Sequence, residues 1–300
     1  YMESVWWVFK QLWDGGYVYK GHRSMHICPR CETTLSQQEV SEGYKDIKDL
    51  SATAQFKFTS DGLKEKINLK KDIYILAWTT TPWTLPGNVL LAVGSDVLYS
   101  VVACGESNYV VAKDLIMTIF EGKEFEVLAQ VLGKDIVGET YEPLFPYYSD
   151  TENGFRVVAG DFVTTDEGTG VVHIAPGFGT DDFELSKEEG ISMIQHVKMN
   201  GTFTEEVVDF AGMNVKPIED HMATDVEIIK WLAHNGKLFA KKKYEHSYPH
   251  CWRCDTPLLN YATDSWFVAV TKVKEKAIGL AKDINWSPTH IKKGRFGKWL

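Results

Sequence analysis

Short apolar runs separated by turn residues dominate the chain, and this pattern predicts strands more often than helices. Thr53 to Thr59 places Ala54, Phe56 and Phe58 on one face, the alternation of a half-buried strand. Further strands are predicted at 73–78, 89–93, 98–103, 109–112, 125–129, 155–158 and 170–174. So many short strands with few helical patterns between them predict an α+β fold that is mostly β, with a barrel-like domain.

Helical patterns are fewer. Residues 4–13 carry an apolar stripe at helical spacing that ends at Gly15-Gly16, so we expect a packed helix there. Shorter helices are predicted at 114–120 and 181–189, the second beginning with acids that suit a helix N-terminus. Thr224 and Glu227 have the spacing of a capping box for one more helix.

The stretch from Gly168 to Asp182 joins a β-branched run to a glycine-rich turn. Val and Ile favour the pleated backbone while Gly and Pro interrupt it, so His173 and the pair Asp181-Asp182 are expected near the rim of a sheet. Gly177 has no Cβ, which lets a bulky or anionic ligand approach the backbone. A loop whose glycines form a turn and whose acids face water is an equally good interpretation of these residues alone.

A second stretch begins as the apolar run Tyr74 to Trp78 and continues as Thr79-Thr80-Thr81-Pro82-Trp83-Thr84. Three adjacent hydroxyls at a strand end, followed by a proline that fixes the next backbone angle, make a rigid row of donors and acceptors. Taken alone, an edge strand that ends in a proline turn explains the same residues.

Together the two stretches resemble the isoleucyl-tRNA synthetases, in the long connective-peptide insertion that hydrolyses misacylated tRNA. Residues 78–84 and 168–182 are similar to the two editing motifs of that family, in the same order, and the resemblance covers essentially all 300 residues. Related valyl and leucyl enzymes carry an arginine where this chain has Thr81, so the resemblance points to isoleucine. It also implies insertion into the nucleotide-binding Rossmann body of a class I synthetase.

The resemblance also implies roles for individual residues. Asp182 would pair with the α-ammonium of the aminoacyl group. Thr79, Thr80 and Thr81 would bind the terminal adenosine and the attacking water, and His173 would shape the wall against the side chain. The substrate-binding residues are expected to be Trp78, Trp83, Gly177, Phe178 and Asp181. The residues alone do not choose between the two aspartates, since an Asp at a helix start is usually a cap, and they identify no general base.

Composition narrows the class of protein. With 44% hydrophobic residues, a chain of this length can bury a substantial core. The net charge of −9 is opposite to that of a sequence-independent nucleic-acid binder, so any tRNA contact must be local. The run Lys241-Lys242-Lys243 offers positive charge, although such runs are most often solvated faces. The absence of a long apolar run or a leader pattern indicates a cytoplasmic protein, and we expect a monomer; the missing initial Met suggests a fragment.

Four of the five cysteines form two Cys-x-x-Cys pairs, which are Cys28 with Cys31 and Cys251 with Cys254. In a reducing compartment such pairs bind metal more often than they form disulfides, and four thiolates complete the tetrahedral shell of a structural zinc. One branch of the resembling family carries zinc on two such pairs at the root of the insertion, which implies the same here. Reduced, metal-free thiols are the alternative. Cys104 is expected to be a small core residue.

Each Cys-x-x-Cys pair is here called a knuckle. These observations predict three parts: an N-terminal stem at 1–44 with the first knuckle, an editing domain at 45–236, and a return stem at 237–300 with the second knuckle and the start of the catalytic body. The chain has no His-x-Gly-His or Lys-Met-Ser-Lys-Ser sequence, so ATP and Mg belong only to the parent ligase. The expected function is hydrolysis of valyl-tRNA(Ile) to valine and tRNA. The alternatives are a tRNA-binding or spacer module, a valyl-type editing domain and a stand-alone zinc hydrolase.

Overall fold

The structure, a computed structural model, describes residues 1–299. Its helices are α1 (Met2–Asp14), α2 (Gln37–Ser41), α3 (Gly62–Lys66), α4 (Ile116–Ile119), α5 (Thr180–Glu188), α6 (Ala223–His234), α7 (Lys274–Asp283), α8 (His290–Lys293) and α9 (Arg295–Trp299). Its strands are β1 (Val18–Cys28), β2 (Thr33–Thr34), β3 (Tyr44–Lys57), β4 (Ile73–Thr79), β5 (Leu90–Val93), β6 (Leu98–Cys104), β7 (Ser107–Ala112), β8 (Glu126–Leu132), β9 (Arg156–Ala159), β10 (Val171–Ile174), β11 (Leu238–Pro249) and β12 (Leu259–Val268). Short 3₁₀ turns include Pro82–Gly87 and Lys113–Leu115.

The chain divides into two compact units. The smaller consists of Tyr1–Arg23 with Thr263–Leu300, and the larger is Ser24–Ala262. In the smaller unit α1 confirms the predicted helix, and Trp13 lies against Trp266 with ring centroids 5.7 Å apart. The expected packing of the whole stripe is wrong, because Trp6 is 70% exposed.

The larger unit contains a six-stranded sheet in the order β11-β3-β4-β7-β6-β8. Neighbours are antiparallel except β4 and β7, which run parallel. Within residues 1–299 this sheet is open, with β11 and β8 as its edges, so the expectation of a barrel is wrong. Alternation of apolar residues determines which face of a strand is buried, but closure depends on pairing of the edge strands, which the alternation does not encode.

A three-stranded sheet in the order β10-β5-β9 completes the framework of this unit. Buried residues of both sheets, among them Ala77, Val110, Leu91 and Ile174, belong to one apolar core. All eight strands predicted from apolar patterning are present. Seven have ends displaced by at most three residues, whereas β3 begins at Tyr44, nine residues before the predicted start at Thr53. No helix among the described residues is both long and apolar enough to cross a membrane.

The two sheets determine where the chemically interesting stretches lie. β4 carries Trp78 opposite Thr53 of β3 and ends at Thr79, where the 3₁₀ turn follows. β10 carries His173 opposite Leu91 of β5 and leads through a turn into α5. The predicted helix at 181–189 is therefore confirmed, and Asp181 and Asp182 lie in its first turn.

Candidate functional site

A cleft of about 320 Å³ lies where β4 ends and where β10 leads into α5. Both sequence stretches contribute to its walls. Seven of the predicted site residues line it, namely Trp78, Thr79, Thr80, Thr81, His173, Phe178 and Asp182. Trp83, Gly177 and Asp181 do not line it.

The threonines form a chain of hydroxyl contacts. Thr81 Oγ1 lies 3.2 Å from Thr79 Oγ1 and 3.3 Å from Thr84 Oγ1. The Thr84 hydroxyl donates to the Thr81 carbonyl at 2.8 Å, which closes the 3₁₀ turn on itself. Within residues 1–299 the half-buried Thr80 hydroxyl has no hydrogen-bond partner, so Thr80 is available to a ligand.

His173 lies at the end of this row of hydroxyl contacts and is a neutral imidazole. Its Nε2 lies 3.0 Å from Thr84 Oγ1. Because the Thr84 hydrogen is directed to the Thr81 carbonyl, Nε2–H of His173 donates and Nδ1 carries the lone pair. Burial lowers the pKa of His173 to about 4. This low pKa makes the ring a poor proton acceptor, and the buried Nδ1 has no hydrogen-bond partner among the described residues.

Asp182 contributes a carboxylate whose environment is unusual for a surface helix. Its Oδ1 accepts a hydrogen bond from the Ala175 amide at 2.8 Å, across the turn between β10 and α5. A Cβ at position 179 would lie 2.1 Å from Asp182 Oδ2, so the glycine there is needed for this approach. Burial raises the pKa of Asp182 to about 6. No Lys, Arg or His of the described chain forms an ion pair with Asp182, whereas its neighbour Asp181 is exposed.

One wall of the cleft is aromatic. The half-buried Trp78 meets Tyr244 of β11 edge to face, with ring centroids 5.3 Å apart. The Tyr244 hydroxyl donates to Glu167 at 3.1 Å, and Glu167 itself lines the cleft. Tyr244 of β11 therefore packs against the indole of Trp78, which lines the cleft.

Two of the three predicted residues outside the cleft are buried beside it. Trp83 is buried against Phe178 with ring centroids 5.3 Å apart, so it supports a lining residue. Gly177 is also buried, and a Cβ there would lie 2.7 Å from the Ile194 carbonyl oxygen. A role of either residue in binding substrate stays a prediction.

Sequence reasoning passed over several lining residues. Thr84 belongs to the quoted threonine stretch, and its position three residues after Thr81 in a 3₁₀ turn brings the two hydroxyls together. Phe162, Thr164 and Glu167 come from the loop before β10. No spacing pattern marks this loop, so only the folded chain shows its contribution.

The four paired cysteines form a second cluster. The sulfur atoms of Cys28, Cys31, Cys251 and Cys254 all lie within 4.8 Å of one another. Cys28 Sγ is 3.4 Å and Cys31 Sγ is 3.6 Å from Cys254 Sγ. Tetrahedral zinc with sulfur at about 2.3 Å implies sulfur–sulfur separations of about 3.8 Å, so the cluster fits such an ion with little adjustment.

The two knuckles share one feature of the backbone. The acidic residue after each second cysteine, Glu32 or Asp255, has a positive φ of 50° or 65°. Between the knuckles, Glu39 of α2 accepts hydrogen bonds from Trp252 Nε1 at 3.0 Å and from Arg253 at 2.8 Å. The four cysteines can therefore bind a metal ion such as zinc, and Glu39 joins the two halves of the cluster.

The cleft brings together both stretches that carry the resemblance, and the four-cysteine cluster belongs to the same unit of the structure. Comparisons with known proteins show the family. Residues 1–300 match the family described as tRNA synthetases class I (I, L, M and V). The chain belongs to this family of class I tRNA synthetases.

The resemblance to isoleucyl-tRNA synthetases is also confirmed. The chain is 46% identical over 300 residues to an isoleucine–tRNA ligase of Clostridium tetani, covering 100% of this chain and 27% of that protein. It is 44% identical over 327 residues to an isoleucine–tRNA ligase of Treponema denticola, covering 100% of this chain and 29% of that protein. The chain thus spans between a quarter and a third of the length of these relatives.

Among solved structures, the larger part of the chain is similar to a crystal structure described as GlLeuRS-CP1. The TM-score is 0.53 with 14% sequence identity, covering 64% of this chain and 98% of that one. At this identity the likeness shows the fold.

Proposed function

We propose that the chain is the post-transfer editing domain of an isoleucine–tRNA ligase and that it hydrolyses valyl-tRNA(Ile) to valine and tRNA. The parent enzyme would ligate isoleucine to tRNA(Ile) with ATP and Mg, and the editing domain would be inserted into its Rossmann body. We further propose that it acts as a monomer in the cytoplasm. The observation that carries the proposal is the meeting of both editing-like stretches in one cleft, beside a carboxylate that has no cationic partner in the described chain.

The need for such an activity is physical. Valine is one methylene smaller than isoleucine, and a hydrophobic pocket discriminates against the smaller side chain by only about 1–3 kcal/mol; isoleucyl-tRNA synthetases are the standard example of this limit. A second site that admits valine and excludes isoleucine removes the error after it is made. Since an aminoacyl ester is reactive, this site mainly has to hold the ester and orient a water molecule.

Asp182 would hold the α-ammonium group. Its carboxylate lines the cleft, and the Ala175 amide fixes its orientation. Burial raises the pKa of Asp182 to about 6, and a bound ammonium group would favour the ionised form. The bound amine thereby fixes the ester bond relative to the rest of the cleft.

The threonines would position the terminal adenosine and the water. Thr80 has a free hydroxyl, while Thr79 and Thr81 are held by the contacts described above. His173 is neutral, and its Nε2 contacts Thr84, so we assign it to the side-chain wall with Trp78 rather than to proton transfer. The vicinal ribose hydroxyl and the ester would supply the remaining proton chemistry.

The metal centre would have a structural role. Four thiolates complete a tetrahedral zinc shell, which leaves no position for a reactive water. This donor set disfavours the stand-alone zinc hydrolase. A bound zinc would instead tie Cys28 and Cys31 to Cys251 and Cys254 across most of the sequence.

The test is deacylation of valyl-tRNA(Ile) and isoleucyl-tRNA(Ile) by the purified chain. We expect hydrolysis of the valyl ester and sparing of the isoleucyl ester, with weak affinity because an acidic chain makes few phosphate contacts. His173→Ala should open the side-chain wall and let the isoleucyl ester be cleaved. Binding of tRNA without hydrolysis of either ester would favour the spacer module, and preferential hydrolysis of threonyl-tRNA(Val) would favour the valyl-type domain.

A further inference from the structure

A fully buried ion cluster lies beside the threonine segment. Lys216 Nζ is 2.7 Å from Asp49 Oδ2 and 2.8 Å from Asp225 Oδ2, and all three side chains are inaccessible to solvent. Asp49 belongs to β3, Asp225 to α6, and Lys216 to the segment before α6. Apolar residues of similar volume often replace buried ion clusters at no cost in stability. The presence of this cluster therefore calls for another role.

The second oxygen of Asp225 contacts the backbone of the threonine segment. The Trp83 amide donates to Asp225 Oδ1 at 3.2 Å. On the other side of the same residue, the Trp83 carbonyl accepts from His196 Nε2 at 3.0 Å. His196 is packed so closely that a Cβ at Gly87 would lie 2.2 Å from its Nδ1. The Trp83 peptide groups are thus held from both sides by buried side chains.

Trp83 lies between the two threonines whose hydroxyls connect to the cleft. Thr84 donates to the Thr81 carbonyl, and the same Thr84 oxygen contacts His173 Nε2. A shift of the Trp83 amide would therefore displace the contact between Thr84 and His173. The ion cluster therefore contacts Trp83, the residue that directly precedes Thr84 in the sequence.

We propose that Asp225 is a positioning residue for the cleft. Lys216 holds the Asp225 carboxylate in place, and that carboxylate fixes the Trp83 amide. The result is one fixed arrangement of Thr81, Thr84 and His173. The proposal rests on the proposed editing function only for its kinetic readout, because the geometry of His173 can be measured without any substrate.

Asp49 provides a matched control. It pairs with the same Lys216 at nearly the same distance and is equally buried. Its second oxygen accepts from the Leu50 amide at 3.2 Å, away from the cleft. Asp225→Asn and Asp49→Asn each remove one charge from Lys216 and preserve volume. Asn has a single acceptor oxygen, so each variant weakens either its Lys216 pair or its backbone contact, and only in Asp225→Asn is that backbone contact the one to Trp83.

The experiment first compares the melting temperatures of these variants. It then compares kcat and KM for valyl-tRNA(Ile) and the ¹⁵N shifts of the His173 ring, both measured well below the melting temperatures of the two variants. We expect similar losses of melting temperature. Only Asp225→Asn should lower kcat, by about 10-fold to 100-fold with KM little changed, and only it should shift the His173 Nε2 signal away from one protonated tautomer.

Equal loss of kcat in both variants, or unchanged His173 signals in Asp225→Asn, would overturn the proposal. Asp225→Glu keeps the charge for Lys216 but moves the carboxylate by one methylene, so it provides the same comparison if Asp225→Asn does not fold. If the wild-type chain hydrolyses neither ester, the proposed function fails, and the His173 signals alone decide whether Asp225 positions the segment.

Discussion

Two adjacent aspartates at the start of α5 have opposite surroundings. Asp181 is exposed, whereas Asp182 is half-buried, lines the cleft and accepts from the Ala175 amide. Successive residues of a helix point about 100° apart, so only one of two neighbours can face the cleft. The residue types alone could not distinguish the two positions, because an Asp at either one suits the first turn of a helix.

The first prediction follows from this difference. Asp182→Ala should lower kcat/KM for valyl-tRNA(Ile) by about 100-fold or more, because it removes the partner of the α-ammonium group. Asp181→Ala is the matched control and should change the rate by less than about 3-fold, since the side chain is exposed. Deacylation kinetics measure both, and equal losses would contradict the assignment to Asp182.

The pKa of Asp182 leads to a second prediction. Burial raises it from 3.8 to about 6, so the ionised form that binds ammonium is lost as pH falls through 6, and deacylation should fall with it. The effect of pH on the stability of the fold has the opposite direction. A raised carboxyl pKa stabilises the fold below the unfolded value, and this contribution is lost as pH rises through about 6.

Asp182→Asn separates the two effects, because it retains an acceptor for the Ala175 amide and cannot ionise. Thermal melts should show it more stable than the wild type at pH 8 and similar at pH 4. Its residual activity should lack the step near pH 6. Equal stabilisation at both pH values would show that ionisation of Asp182 is not the cause.

At the scale of elements, local patterning predicted strands well and long-range pairing poorly. β10 and β4 were identified from β-branched and apolar runs bounded by Gly, Thr and Pro. β11 was missed because it contains Lys241-Lys242-Lys243 and lies exposed at an edge, where polar residues are tolerated. The capping box at Thr224 was wrong, because its hydroxyl donates to the Asn214 carbonyl instead of capping α6.

The two cysteine knuckles give a third prediction. Protein purified without chelator should contain one zinc per chain, and Cys251→Ser with Cys254→Ser should lose it, because two of the four thiolates are removed. Cys104→Ser is the control, since Cys104 is not among the clustered thiols. Elemental analysis of the three proteins decides the matter. Zinc retained by the double variant would exclude this four-thiolate site.

At the scale of the molecule, the resemblance identified the cleft residues, but the ion cluster behind them had no signal in the sequence. Asp49 and Lys216 are 167 residues apart, and neither belongs to a recognisable motif. A buried lysine cannot be distinguished from a solvated one by local pattern, because its burial depends on partners from distant elements. The sequence therefore predicted the residues that line the cleft better than the residues that hold them in place.

The domain bounds are a further proposal at this scale. We propose that residues 45–236 carry the editing chemistry, and all cleft-lining residues fall between 78 and 182. β11 pairs with β3 from Leu238 and Ala54 to Pro249 and Tyr44, which protects the start of this range. The knuckles at 28–31 and 251–254 lie on either side of it.

Limited proteolysis with mass spectrometry tests these bounds. We expect a resistant product that contains residues 45–236 intact, because ordered backbone in a hydrogen-bonded sheet resists cleavage. A chelator should expose 24–44 and 249–262 to cleavage by loosening the knuckles, while the central range stays protected; the Cys251→Ser, Cys254→Ser variant should give the same pattern without chelator. First cuts within 45–236 would show that this range is not one folded domain, and cuts unchanged by chelator would show that the metal does not hold the stem together.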